Sequence, residues 1–215
     1  MNSQTKVAAV LFDYGVVLSG PPNPAAWTRM QQIAALDPGT FERAYWAPRH
    51  DYDRGHHTGR EYWHATARAA QTELTDDAID ALIEADTDLW TQVNEPMVAW
   101  AARLQAAGTP TGILSNLGDA MTKGVTARQP WLAGFDFALW SHTVRMAKPE
   151  AAIYQLAANG LHTPPEAILF IDDRSDNIAG ALAVGMQTVL YLDQPSFEQE
   201  LEQRALGHLW RTGRL

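Results

Sequence analysis

Apolar and polar positions fall into two textures along this chain. Four short, mainly apolar runs occupy residues 7–12, 111–114, 167–171 and 187–192, each bounded by Gly, Pro, Ser, Asn or Asp. Runs of this length with little alternation predict strands buried on both faces, as in a parallel sheet. The stretches between them carry helical spacing. In 96–107, Met97, Val98, Trp100, Ala101 and Leu104 recur on one face and Gly108 follows as a stop signal, while 177–185 reads as a small-residue helix closed by glycine. This βαβα rhythm predicts a doubly wound α/β sheet.

Residues 21–94 differ. They contain no convincing strand run, are rich in Trp, Tyr and His, and read as several helices. Trp27, Met30, Ile33 and Ala34 share one face of the first, and Thr75 followed by Asp76 and Asp77 opens another. The organisation expected is a doubly wound α/β core built from 1–20 and 95–215, with a helical insertion over 21–94.

Composition narrows the function. At 215 residues, 46% of them hydrophobic, the chain fits one large domain or a core with an inserted lobe. A formal charge of -9 repels nucleic acid and anionic lipid and suits a cationic partner such as a metal ion. The absence of cysteine excludes thiolate catalysis, thiolate zinc sites and disulfides. The apolar run 7–12 is far shorter than a membrane span or a signal sequence, so a soluble, cytoplasmic protein is expected. No oligomeric state is legible; residues 201–215, with Leu209 and Trp210, either pack on the core or contact a partner.

The chemistry-bearing residues lie at the ends of the expected strands, where open α/β sheets bind ligands. Asp13 leaves the first strand into a turn. Ser115 and Asn116 sit at the mouth of the second, where a hydroxyl and backbone N–H groups can hold an anion. Lys148, beside Pro149, offers a compact positive charge for a phosphate. Asp172 and Asp173 put two carboxylates directly after an apolar strand; their repulsion is relieved by a hard divalent cation bound through oxygens. Each also has an ordinary structural reading. Asp13 and Ser115-Asn116 could be capping residues, Lys148 a solvated lysine, and Asp172-Asp173 a helix cap plus a partner for Arg174.

Taken together, in this order, at these strand ends and with an insertion between the first and second, the four pieces resemble the motifs of the haloacid dehalogenase-like (HAD) hydrolase superfamily. Lys148-Pro-Glu-Ala-Ala-Ile-Tyr154 and Phe170-Ile-Asp-Asp173-Arg-Ser-Asp-Asn177 are similar to the patterns of its branch with a helical cap, subfamily IA with a C1 cap. The resemblance runs from about residue 7 to 192. It implies a Rossmann-like core under an α-helical cap, and a Mg²⁺-dependent phosphatase acting on a small phosphorylated metabolite, a sugar phosphate being one candidate. Asp13 would attack phosphorus to form an aspartyl-phosphate that water then hydrolyses. Mg²⁺ would be held by Asp13, the carbonyl of Gly15 and Asp173, with Asp172 and Asn177 behind them. Ser115, Asn116 and Lys148 would bind the substrate phosphoryl group.

One position departs from that pattern. Most phosphatases of the family carry a second aspartate two residues after the nucleophile as general acid and base, and here that residue is Gly15. A factor of about 10² to 10⁴ in rate must then come from elsewhere or be forgone. Three explanations stay open: a substrate with a good leaving group, such as an anomeric sugar phosphate or an acyl phosphate; a cap residue that supplies the proton; or a poor catalyst that mainly binds. The segment 49–57 is where a substitute acid or substrate clamp is expected, although a hydrated loop tip is the plainer reading of its histidines and aspartates. Tyr45, Trp46, Tyr62 and Trp63 are expected to form the insertion's own core, with a sugar-sized pocket as the alternative. A 2-haloacid dehalogenase would use Asp13 on carbon without a metal, and the Asp172-Asp173 pair argues against it.

Overall fold

The computed structural model describes residues 6–214; positions 1–5 and 215 of the ranges above lie outside the described residues. Five strands, β1 (Ala9–Phe12), β2 (Thr111–Ser115), β3 (Phe137–Trp140), β4 (Ile168–Asp172) and β5 (Gln187–Leu190), pair in parallel in the order β3-β2-β1-β4-β5. Phe12 lies opposite Ile113 of β2 and Ile171 of β4, so Asp13, Ser115 and Asp172 emerge at nearly one level of the sheet. Four of the five strands are those expected from the apolar runs. The fifth, β3, has the sequence Phe-Ala-Leu-Trp at a sheet edge, is largely half-exposed and runs straight into a helix. Its four residues are all apolar, but so short a run passing directly into a helix is not told from helical spacing by its pattern alone.

Five helices fill the stretch after β1: α1 (Pro24–Ala34), α2 (Pro38–Trp46), α3 (Arg49–Asp53), α4 (Gly59–Ala69) and α5 (Asp76–Leu89). Most start where a side chain satisfies a free backbone N–H. Asn23 accepts from Ala25, Asp37 from Thr40 and Thr75 from Ala78, and Thr58 and Glu61 cap each other reciprocally. Then follow α6 (Glu95–Ala106), α7 (Asp119–Arg128), α8 (Ser141–Val144), α9 (Ala151–Gly160), α10 (Ser175–Ala183), α11 (Gln194–Gln203) and α12 (Gly207–Thr212). No helix among the described residues is long and apolar enough to cross a membrane.

Alternate residues of the strands serve the two faces of the sheet. Val10, Phe12, Ile113 and Leu169 pack with Trp100, Leu104, Phe197 and Leu209. Ala9, Leu11, Leu114 and Phe170 pack with Ile153, Tyr154, Ala157 and Ala181. The C-terminal segment therefore packs on the core: the Trp100 indole N–H donates to the Leu209 carbonyl at 3.0 Å and its ring lies 5.4 Å from that of Trp210.

Several contacts tie the helical stretch to the sheet, two of them at its ends. The chain leaves and returns along a paired ribbon, in which Ser19 and Val93 form an antiparallel bridge, Gly20 N–H donates to Gln92 and Asn94 N–H to Leu18. At the far side, Tyr52 lies against Gly118, so closely that a Cβ there would overlap the ring. Gly118→Ala is expected to lower stability by about 1–3 kcal/mol, read by urea denaturation, because the buried Tyr52 has no space into which to retreat.

Candidate active site

The strand ends gather three carboxylates around one lysine. Asp13 follows β1, its N–H held by the Ile171 carbonyl and its Oδ1 accepting from Tyr14 N at 2.7 Å. Lys148 Nζ stands 2.8 Å from Asp13 Oδ1 and 2.6 Å from Asp172 Oδ2. All three residues are buried. Asp172 also accepts from Asn177 Nδ2, at 2.9 and 3.1 Å, and from Arg174 N at 2.8 Å. Oxygens of Asp13, Asp172 and Asp173 lie within 4.8 Å of one another.

Neighbouring groups fix this arrangement. Asn116 clamps the lysine loop: its Nδ2 donates to the Lys148 carbonyl at 2.9 Å, and its Oδ1 accepts from Lys148 N at 2.8 Å. Ser115, the last residue of β2, is buried at the same level. Arg174 turns away to Asp176, 2.8 Å distant, and does not pair with Asp173. Gly15 has φ −62° and ψ 131°, a conformation open to any residue, and an added Cβ would make only an ordinary 3.8 Å contact with Trp90. Neither backbone nor space therefore requires glycine there.

Burial pushes the Asp13 carboxyl up to about 7; Lys148 opposes the shift and the charges of Asp172 and Asp173 add to it. Burial acts against the Lys148 charge too, but Asp13 and Asp172 outweigh it and hold the ammonium above its ordinary value. Asp173 is raised by burial and by Asp172. Three carboxylates beside one ammonium leave an excess of two negative charges in a nearly buried space.

A cavity of about 270 Å³ opens on this cluster. Asp13, Gly15, Ser115, Asn116, Lys148, Asp173 and Asn177 line it from the sheet side, whereas Asp172 stands behind the wall. Trp46, Arg49 and Asp53 line it from the helical side, with Trp90. Tyr45, Tyr62 and Trp63 are fully buried in the helical core, but Trp46 is half-exposed beside the cavity. Within 49–57 only Arg49 and Asp53 reach the cavity, while Asp51 and His56 pair 3.5 Å apart on the surface. Arg49 and Asp53 are four apart on one helix and bond at 3.0 Å.

The family model for haloacid dehalogenase-like hydrolases matches residues 7–185. The chain belongs to that family. The HAD-like hydrolase fold is shared with a HAD family enzyme of Bacteroides thetaiotaomicron, solved in complex with magnesium and inorganic phosphate: TM-score 0.72, 18% identity, covering 89% of this chain and 98% of that one. Among curated proteins, bifunctional epoxide hydrolase 2 of Rattus norvegicus is 35% identical over 115 residues, 52% of this chain and 21% of that protein. (S)-2-haloacid dehalogenase 1 of Pseudomonas sp. (strain CBS-3) is 31% identical over 86 residues, 40% of this chain and 38% of the dehalogenase. The HAD-like chain thus matches well under two thirds of the length of either curated relative.

The donor set of this HAD-like site fits a hard divalent cation. Its ligands are all oxygens, their excess charge equals that of one such ion, and the Oδ1 of buried Asn177, a cavity residue, has no hydrogen-bond partner. Asp172 is saturated by Lys148, Asn177 and the Arg174 N–H, which leaves Asp13 and Asp173 as the carboxylates on the cavity wall.

Proposed function

We propose that this protein is a Mg²⁺-dependent phosphatase that hydrolyses a small phosphorylated metabolite through an aspartyl-phosphate on Asp13. The observation that carries this reading is the uncompensated pair of negative charges around the cavity: one divalent cation balances them and offers a phosphoryl group a positive partner, whereas a haloacid dehalogenase has no use for it. Residues 1–20 and 95–215 form the core in this reading, and 21–94 the cap. Asp13, the Gly15 carbonyl and Asp173 would hold the Mg²⁺, which supplies positive charge to the transferring phosphoryl group when bound. Asp172 would stand behind these ligands and Asn177 beside them on the cavity wall, the two hydrogen-bonded at 2.9 and 3.1 Å.

Lys148 neutralises Asp13 in the resting site and, as phosphate enters, binds its oxygens together with the Ser115 hydroxyl. Asn116 presents Lys148 by holding its backbone on both sides. An Asp13 oxygen forms the bond to phosphorus and the ester P–O bond breaks; water then attacks the aspartyl-phosphate and returns the free carboxylate and inorganic phosphate. A cavity of about 270 Å³ with two tryptophans on its wall suits a compact leaving group such as a sugar.

Phosphate release from p-nitrophenyl, acyl, anomeric sugar and alkyl phosphates, measured with Mg²⁺ and with EDTA, tests the assignment. Release with Mg²⁺ that EDTA abolishes is the expected result. Halide release from 2-chloropropionate without phosphate release would replace this reading by dehalogenation, and release of neither would leave a phosphate-binding protein.

A further inference from the structure

The helical wall of the cavity carries its own charge imbalance. Arg49 is buried, with its Nε 3.0 Å from Asp53 Oδ1 and its Nη1 3.5 Å from Asp86 Oδ2. It also donates to the Tyr45 hydroxyl at 2.6 Å, and its guanidinium lies 5.3 to 6.0 Å from the ring centres of Tyr45, Trp46, Tyr52 and Tyr62. One guanidinium therefore serves two carboxylates, Asp86 fully buried and Asp53 mostly so, and a single proton closes the difference. Asp86 accepts from Tyr45 Oη at 2.8 Å and lies away from the cavity. Asp53 lines the cavity, and its second oxygen makes no hydrogen bond among the described residues.

Asp53 is also held in place over the strand ends. Ser141 donates to its backbone carbonyl, and the next residue, Arg54, pairs with Glu150 of the lysine loop. The position that would otherwise carry a proton donor, Gly15, faces the same cavity and has no side chain.

We propose that Asp53 is the general acid and base of this site, taking the place left empty at Gly15; the assignment rests on the phosphatase reading above. As Asp13 bonds to phosphorus and the P–O ester bond breaks, the Asp53 carboxyl gives its proton to the leaving alkoxide, which departs as an alcohol. The Asp53 carboxylate, paired with Arg49, then takes a proton from the water that attacks the aspartyl-phosphate. Inorganic phosphate leaves, and both aspartates return to their starting states. Burial pushes the Asp53 carboxyl up to about 6, against the pull of Arg49, with Asp86 adding to the rise and Arg174 opposing it. A group in that range changes protonation at little cost near neutral pH. Asp53 is thus a catalytic residue, and Arg49 positions it.

The test is Asp53→Asn, which keeps the size and the hydrogen bond to Arg49 but has no acidic proton. For an alkyl phosphate, kcat/KM is expected to fall by about 10²-fold or more. For p-nitrophenyl phosphate, whose leaving group needs no proton, the fall is expected to be under about fivefold, because kcat/KM stops at the first irreversible step. Gly15→Asp added to Asp53→Asn is expected to recover part of the alkyl activity. Equal losses on both substrates would make Asp53 a structural or binding residue, and an unchanged alkyl rate would remove it from the chemistry; either overturns the proposal. If Asp53→Asn does not fold, the unmodified protein supplies the answer: kcat/KM that varies less than about tenfold from aryl to alkyl leaving groups supports a proton donor, and a steep decline with leaving-group basicity overturns it. Absence of phosphate release from every substrate by the unmodified protein would overturn the phosphatase reading and Asp53 with it. Release by the unmodified protein with an indifferent Asp53→Asn would overturn Asp53 alone.

Discussion

Asp13→Asn is expected to abolish phosphate release, by about 10³-fold or more, while the protein still folds. The amide is a poor nucleophile at phosphorus and carries no charge for a cation. Folding should survive because the change removes a buried carboxylate that burial and two neighbouring carboxylates already disfavour, and Lys148 keeps Asp172 at 2.6 Å. Steady-state phosphate release and a thermal melt on the same preparation check both halves. Turnover like that of the unmodified protein would remove Asp13 as the nucleophile.

Lys148→Met is expected to be costly in both respects. The side chain is of similar length and fits the same channel, but it leaves Asp13 and Asp172 buried without their cation. Breaking a buried ion pair from one side costs about 3–5 kcal/mol, a large part of the stability of a domain. Urea denaturation should show that loss in EDTA and a smaller one with Mg²⁺, since a divalent ion takes over part of the missing charge. Equal losses under both conditions would mean that no cation enters beside these carboxylates. Phosphate release should fall with the stability, because the same ammonium that neutralises the resting aspartates is assigned to the phosphoryl oxygens.

How much of this was legible beforehand follows from which forces act locally. The strands β1, β2 and β4 announce themselves because they are buried along their whole length and both of their faces need apolar residues, and the edge strand β5 stands out between Gly185 and Asp193; the other edge strand, β3, only four residues long and continuous with a helix, does not. Asp13, Ser115, Lys148 and Asp173 stood out because each falls at a strand end or beside a proline. The helical half of the cavity was harder to read. The segment containing Arg49 and Asp53 could be singled out for its charges, but nothing in it separates those two from His50, Asp51 or His56. Only packing does: Tyr45, Tyr52 and Tyr62 enclose one helical face, and the two residues on it lose their water together. The part played by Asp86 was invisible, since its partner lies 37 residues earlier in the chain (86 − 49) and on another helix. Charge imbalance across the two walls was likewise a property of the folded molecule alone.

The ribbon that joins the helical layer to the sheet limits how the site can be reached. Leu18, Ser19 and Gly20 are bonded to Asn94, Val93 and Gln92, so the outgoing and returning chains cannot bend separately. The opposite edge is tied as well, by Ser141 to Asp53, Arg54 to Glu150, Gly59 to Asp119 and Arg128 to Asp88, so the helical layer is held to the sheet on both sides of the cavity. The contacts at that opposite edge adjoin the proposed proton donor. The proposed proton donor thus sits on the helical layer while the nucleophile Asp13 sits on the sheet, so the geometry needed for the reaction depends on these two layers holding one fixed spacing.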